Sequence, residues 1–148
     1  MEYTSVFDII GPIMVGPSSS HTAGALGIAK YTRQKFGKQP IYAEITLYES
    51  FAKTYKGHGT DVALVGGILN FESDDVRIPF ALDIAEKEHL EIKFVISEEQ
   101  TDHPNTVKLI LTDGYEVLEV TGISIGGGSF RILSSDWSFG AKWGENDV

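Results

Sequence analysis

Positions alternate between apolar and polar with a helical period from Thr22 to Phe36. Ala25, Ile28, Ala29, Thr32 and Phe36 share one face, while Lys30, Arg33, Gln34 and Lys35 fall on the other. Gly37 supplies a C-terminal stop, and the basic last turn suits the negative end of the helix dipole. After Pro40, Ile41 to Tyr48 reads as a strand. "DVALVGGIL", Asp61 to Leu69, is apolar on most sides. It predicts a buried helix whose Gly66–Gly67 pair permits close packing, with a short strand as the alternative. Pro79 to Leu90 predicts a further amphipathic helix with proline in its first turn.

The period then changes to two. Glu91 to Ile96 is a strand, and "VKLILTDGYEVLEVTG" is a hairpin whose Asp113–Gly114 pair suits a type I′ turn. "ISIGGGSFRIL" reads as one more strand, broken at Gly126 to Gly128. Beyond Leu133 the pattern fades. "SSDWSFGAKWGENDV" reads either as a segment packed on the sheet or as the start of a further module. Helix, strand, two helices and then a run of strands is an α+β order. It predicts a mixed or antiparallel sheet with helices mainly on one face, in one domain over residues 1–135 followed by a tail over 136–148.

Composition narrows the partners. The 148 residues suffice for one cored domain, and 42% hydrophobic with 22% charged residues is ordinary for a globular chain. A net charge of −9 repels phosphate backbones, which argues against nucleic acid. No apolar run reaches a membrane span, and MEYTSVFDII lacks the basic-then-apolar order of a signal peptide, so the cytoplasm is the expected compartment. The chain has no cysteine, which excludes disulfides, thiol nucleophiles and any iron–sulfur or zinc site on its own thiolates.

Chemistry concentrates in three short stretches. In "GPSSSHTAG" one serine would cap the helix that follows. Ser18, Ser19, Ser20, His21 and Thr22 together exceed that need, and the first-turn N–H groups and dipole favour an anion. An over-provided cap and a phosphate or carboxylate cradle explain the stretch equally well. In "KGHGTD", His58 stands between two glycines that permit close approach of a ligand. Thr60 or Asp61 either caps the next helix, or Asp61 orients an imidazole. In "DHPNT", His103 precedes a proline that biases it to extended geometry, and Asn105 offers a donor and an acceptor; an ordinary turn is the plain alternative. His89, in "EKEHLE", reads as a solvated helix-end residue. No histidine pair has the short helical spacing of a metal motif, and the serines lack the spacing of a nucleophile elbow. A small-anion site with a histidine acid or base fits the residue types best.

Together, "GPSSSHTAG", "SFAKTYKGHGTD", "HPNT" and "GISIGGG", in that order, resemble the β chain of bacterial iron–sulfur-dependent L-serine dehydratase, from about Tyr3 to Leu133. The resemblance implies conversion of L-serine to pyruvate and ammonia, with a [4Fe–4S] cluster on the cysteines of a separate α chain and none ligated by this one. It implies that the open iron holds the serine hydroxyl while a base takes the Cα proton and the aminoacrylate hydrolyses through its imine. It also implies a likeness to the allosteric substrate-binding domain of phosphoglycerate dehydrogenase. Carried over by position, His58, His21, His103 and Asp61 are the expected catalytic residues, with His58 the candidate base. Ser18, Ser20, Thr22, Thr60 and Asn105 are the expected substrate contacts, and no metal ligand is expected here. Two-chain members often add a C-terminal ACT domain, and Val148 falls where one would begin.

Two other classes compete: a non-catalytic domain that binds a small carboxylate or phosphate effector, and a dimerisation module built on Trp137, Trp143 and "VALVGGIL". The expected partners are the cluster-bearing α chain, L-serine and, as an option, a second copy of this chain.

Overall fold

The computed structural model describes residues 19–54 and 59–139. Helix α1, Ser19–Phe36, begins three residues before the position its apolar pattern marks, so His21 lies in its first turn rather than ahead of it. Its Ala25, Ile28, Ala29, Thr32 and Phe36 face is buried as expected. The helix ends at Gly37, whose φ of 88° is open to glycine and whose N–H donates to the Arg33 carbonyl at 3.1 Å. Strand β1, Tyr42–Tyr48, leads into a short helix α2, Glu49–Thr54, that no periodicity announced. Helix α3, Thr60–Ile68, follows, then a 3₁₀ turn over Ile78–Phe80 and helix α4, Ala81–Lys87. The amphipathic run from Pro79 is therefore split, and its α part closes three residues before Leu90. His89 is exposed beyond its end, with φ 62°.

Strands β2 (Glu91–Ser97), β3 (Thr106–Thr112), β4 (Glu116–Gly126) and β5 (Ser129–Phe139) complete a five-stranded sheet in the order β2-β1-β3-β4-β5. β1 and β2 are parallel, joined through the helices, and every other pair is antiparallel. The sheet is mixed, as the element order implied. Alternation sends Ala43, Ile45 and Leu47, Val107, Leu109 and Leu111, and Leu118 and Val120 into one core with α1 and α3. Burying these side chains is the main stabilising term, at about 1.5–3 kcal/mol for each large one.

Gly67 sets the helix packing. A Cβ there would lie 2.6 Å from both Ala29 Cβ and the Leu26 carbonyl oxygen, so only glycine lets α3 sit this close to α1. Further along, Lys30 Nζ donates to the Phe71 carbonyl and Gln34 Nε2 to Asn70 Oδ1. Asn70 and Phe71 lie just beyond α3, so its C-terminal end packs beside the middle and C-terminal half of α1.

Two local expectations are corrected. A type I′ turn needs positive φ at both central residues, but at Asp113–Gly114 only Gly114 has it, at 95°. The turn is held by side chains instead: the Asp113 carboxylate accepts from the Tyr115 and Glu116 N–H groups, and Thr112 Oγ1 accepts from Gly114 N–H. "ISIGGGSFRIL" is not one broken strand. Gly126, Gly127 and Gly128, at φ 91°, 63° and 80°, reverse the chain and make it a second hairpin. β5 then continues to Phe139, across the boundary expected at residue 135. Its pattern was illegible because it is a largely exposed edge and because register shifts near Thr121/Gly122 and Ser124/Gly126 disrupt the pairing.

Candidate functional site

The strand register gathers the polar motifs at one end of the sheet. Tyr48 pairs with Ser97, Leu47 with Val107 and Thr106 with Ile123. The entry to α2, the loop before β3 and the β4–β5 turn therefore emerge together. His21 brings the start of α1 to this group, its Nδ1 lying 3.2 Å from Ser124 Oγ. α3 lies in the crossover that links β1 to the parallel strand β2, so Gly59, Thr60 and Asp61 start from the C-terminal end of β1, the same end. Two helix N-termini thus face one region, with first-turn N–H groups and positive dipole ends suited to an anion.

The loop before β3 is cross-tied. Asn105 N–H donates to His103 Nδ1 at 3.1 Å, and Thr106 Oγ1 donates to the His103 carbonyl at 2.6 Å. Ser50 N–H donates to the Pro104 carbonyl, and Ser124 N–H to the Asn105 carbonyl. Ser124 is wholly buried and joins the two motifs, its N–H on Asn105 and its hydroxyl on His21. His21, Asp61, His103 and Asn105 are half-exposed and open to a ligand. Thr22 and Thr60 are each only 1% exposed, so what they offer a ligand is chiefly the helix ends in which they sit. Asp61 Oδ1 accepts from the Val62 N–H at 2.8 Å. Neither Thr60 nor Asp61 is the N-cap of α3. That position is Gly59 at φ 81°, with no side-chain cap, because α3 starts one residue earlier than its apolar run. Ser20 lies in the first turn of α1; Ser18 and His58 lie outside the described residues.

Glu49 locks the loop from the other side. Its Oε2 accepts from Thr101 N–H at 2.8 Å and lies 2.7 Å from Thr101 Oγ1. These two bonds, the backbone one first, hold its carboxyl below the usual carboxylate range. Glu49 also has φ 45°, a left-handed conformation uncommon outside glycine, at the junction of β1 and α2. A cleft of about 470 Å³ opens beside it, between Glu49, Ser50 and Lys53 of α2 and Ser97 at the end of β2 with Glu98 and Glu99 after it. Its acidic rim repels anions, which leaves the helix N-termini as the anion-attracting side of this end.

Ser124, Glu49 and Thr101 were not singled out by sequence. The signal for Ser124 was present in "GISIGGG" but carried no chemical role. A Cβ at Gly24 would overlap Ser124 Oγ, and one at Gly126 would come 3.9 Å from His21 Cε1. Gly24 of α1 therefore makes room for the Ser124 hydroxyl, whereas at Gly126 it is the φ of 91°, not the imidazole, that calls for glycine. Glu49 and Thr101 are 52 residues apart, and nothing local links them.

Among the described residues no group of three or more histidine, cysteine, aspartate or glutamate side chains could hold a metal ion. With no cysteine in the chain, its residues do not fit an iron–sulfur cluster. No helix among the described residues is long and apolar enough to cross a membrane.

The site is thus an anion-attracting end of an α+β domain, furnished with hydrogen-bonded histidines. Residues 5–90 match the family model described as serine dehydratase beta chain, and the chain belongs to that family. It is 53% identical over 132 residues to the probable L-serine dehydratase, beta chain, of Bacillus subtilis (strain 168), covering 89% of this chain and 60% of that one. It is 47% identical over 133 residues to the L-serine dehydratase, beta chain, of Peptoniphilus asaccharolyticus, covering 88% and 60%. The L-serine dehydratase TdcG of Escherichia coli (strain K12) is 30% identical over 149 residues, covering 84% of this chain but 32% of that longer protein. The chain thus spans about 60% of the length of the first two relatives.

Proposed function

We propose that this chain is the β part of an L-serine dehydratase, forming pyruvate and ammonia from L-serine at an active site shared with a cluster-bearing α chain. The observation that carries the reading is the convergence of His21, Ser124, His103 and Asn105 beside two helix N-termini. A bound serine needs an anchored carboxylate, a hydroxyl held for departure and a base for a weakly acidic Cα proton. The helix ends suit the carboxylate, Asn105 suits either partner of a hydrogen bond, and the histidines suit proton transfer. His58 is the candidate base, placed by its motif, with Asp61 and His21 as its acid–base company. Ser18, Ser20, Thr22 and Thr60 belong to the substrate-binding surface. A cluster held by thiolates of the other chain would supply Lewis-acid activation of the substrate hydroxyl. The match of this chain to about a third of the longer Escherichia coli protein supports an active site that needs more than this domain.

The test is reconstitution. The pure chain should form no pyruvate from L-serine, and adding the α chain loaded with its cluster should restore turnover. In that complex His58→Ala should lower kcat by about 10²–10⁴-fold while the chain stays folded. Turnover by the isolated, iron-free chain would refute the proposal. An effect of His58→Ala confined to regulation, with the uninhibited rate intact, would favour a non-catalytic effector-binding domain.

A further inference from the structure

The backbone around His103 fixes which of its ring nitrogens carries a proton. A peptide N–H can only donate, so the 3.1 Å bond from Asn105 N–H makes His103 Nδ1 an acceptor. In the neutral ring the proton then sits on Nε2. This state is strongly held. The His103 carbonyl takes the Thr106 hydroxyl at 2.6 Å, with Thr101 Oγ1 also 2.6 Å away, and the two neighbouring carbonyls are tied to Ser50 and Ser124 N–H. Glu49 anchors Thr101 in turn. Turning the ring over would break the Asn105 bond in a turn whose three successive carbonyls are already tied.

We infer that His103 serves the reaction as a neutral hydrogen-bond donor through Nε2–H to a substrate oxygen, and is not the residue that receives the Cα proton. An imidazole already protonated on Nε2 and hydrogen-bonded at Nδ1 has no free lone pair to accept one. Nε2 makes no hydrogen bond among the described residues, and the side chain is half-exposed, so this donor is open to a ligand. No proton changes hands at His103: the N–H stays on the ring while its bond to the substrate oxygen strengthens as negative charge grows there. The inference rests on the serine-site reading above and separates the histidines within it, leaving the base among His58 and His21.

Two measurements test it. Long-range proton–nitrogen correlation spectra of the full ¹⁵N-labelled chain at a pH where the ring is neutral should show His103 protonated on Nε2 and bare on Nδ1. The opposite tautomer overturns the inference whatever the kinetics. In the reconstituted complex, His103→Gln places an amide N–H near the Nε2 position. It should keep at least about a tenth of kcat, against a loss of about 10²–10³-fold for His103→Ala, as for removal of an oxyanion donor. Equal, severe losses in both variants, with thermal melts showing both folded, overturn the donor role but leave His103 in the active site. No change in kcat or KM in either variant overturns the donor role and removes this loop from the serine site as well.

Discussion

The two ends of helix α1 use the same local devices to different effect. At its C-terminal end Gly37 closes the helix, Phe36 stacks on Trp137 at 5.8 Å, and Trp137 stacks on Phe139 at 6.4 Å. Lys38 pairs with Asp113 at 2.6 Å, and that carboxylate also caps its own turn. The charged pairs there close on each other, while Arg33 Nε in the last turn is buried without a hydrogen-bond partner among the described residues. At the N-terminal end the hydrogen bonds are just as dense, yet His21, His103 and Asn105 each keep polar capacity facing outward. Glycines with positive φ serve both ends, once as a stop at Gly37 and three times in a row where the chain reverses between β4 and β5. What separates the two ends is therefore not polarity but exposure, with part-exposed histidine and asparagine side chains at one and ion pairs and stacked rings at the other.

The contrast can be broken from either end. Phe36→Ala should have the largest effect, costing about 3–5 kcal/mol in urea unfolding, because it removes a buried ring and its stacking partner. The kcat per folded molecule in the reconstituted complex should not change. At the other end Asn105→Ala should do the reverse, lowering kcat/KM about 10²-fold, near 2.7 kcal/mol of transition-state binding, with little change in the unfolding midpoint. Ser124→Ala should lie between the two. It should cost about 1 kcal/mol of stability for the lost buried hydroxyl and loosen the His21 ring, read as a broader His21 resonance and a fall in kcat.

Acid should sharpen the comparison with the smallest effects. Glu49 is held below the usual carboxylate range by Thr101, and Asp113 is held much further below it, first by Lys38 and then by the Tyr115 and Glu116 N–H groups. For a carboxylate whose folded-state pKa is depressed, the stabilisation is present above its ordinary pKa and fades as pH falls through the lowered value. The Thr101 amide resonance should therefore shift at a higher pH than the Glu116 amide, so the end that holds His103 releases its loop first. Coincident transitions would show that the two ends do not act separately.

Much of this fold was legible in advance because its causes are local. The α1 face, the buried "DVALVGGIL" helix and the β3–β4 hairpin follow from period and turn residues read within a dozen positions. The second hairpin was misread because one glycine run can interrupt a strand or reverse it, and only pairing with β4 decides between the two. Helix α2 was missed because it is six residues long and enters through a left-handed Glu49.

The sequence by itself determined the class of side chain available: histidines beside glycines and small polar residues, an acidic chain and no thiolate. Its motif order placed them in a family. The tertiary structure alone decided which of them meet. Ser124 joins His21 across 103 positions, and Glu49 ties Thr101 across 52, through strand register and the packing of α1 on the sheet. The tautomer of His103 belongs with these. It depends on where one backbone N–H points once the loop is pinned, and a residue's identity and neighbours in sequence do not encode that direction without the fold.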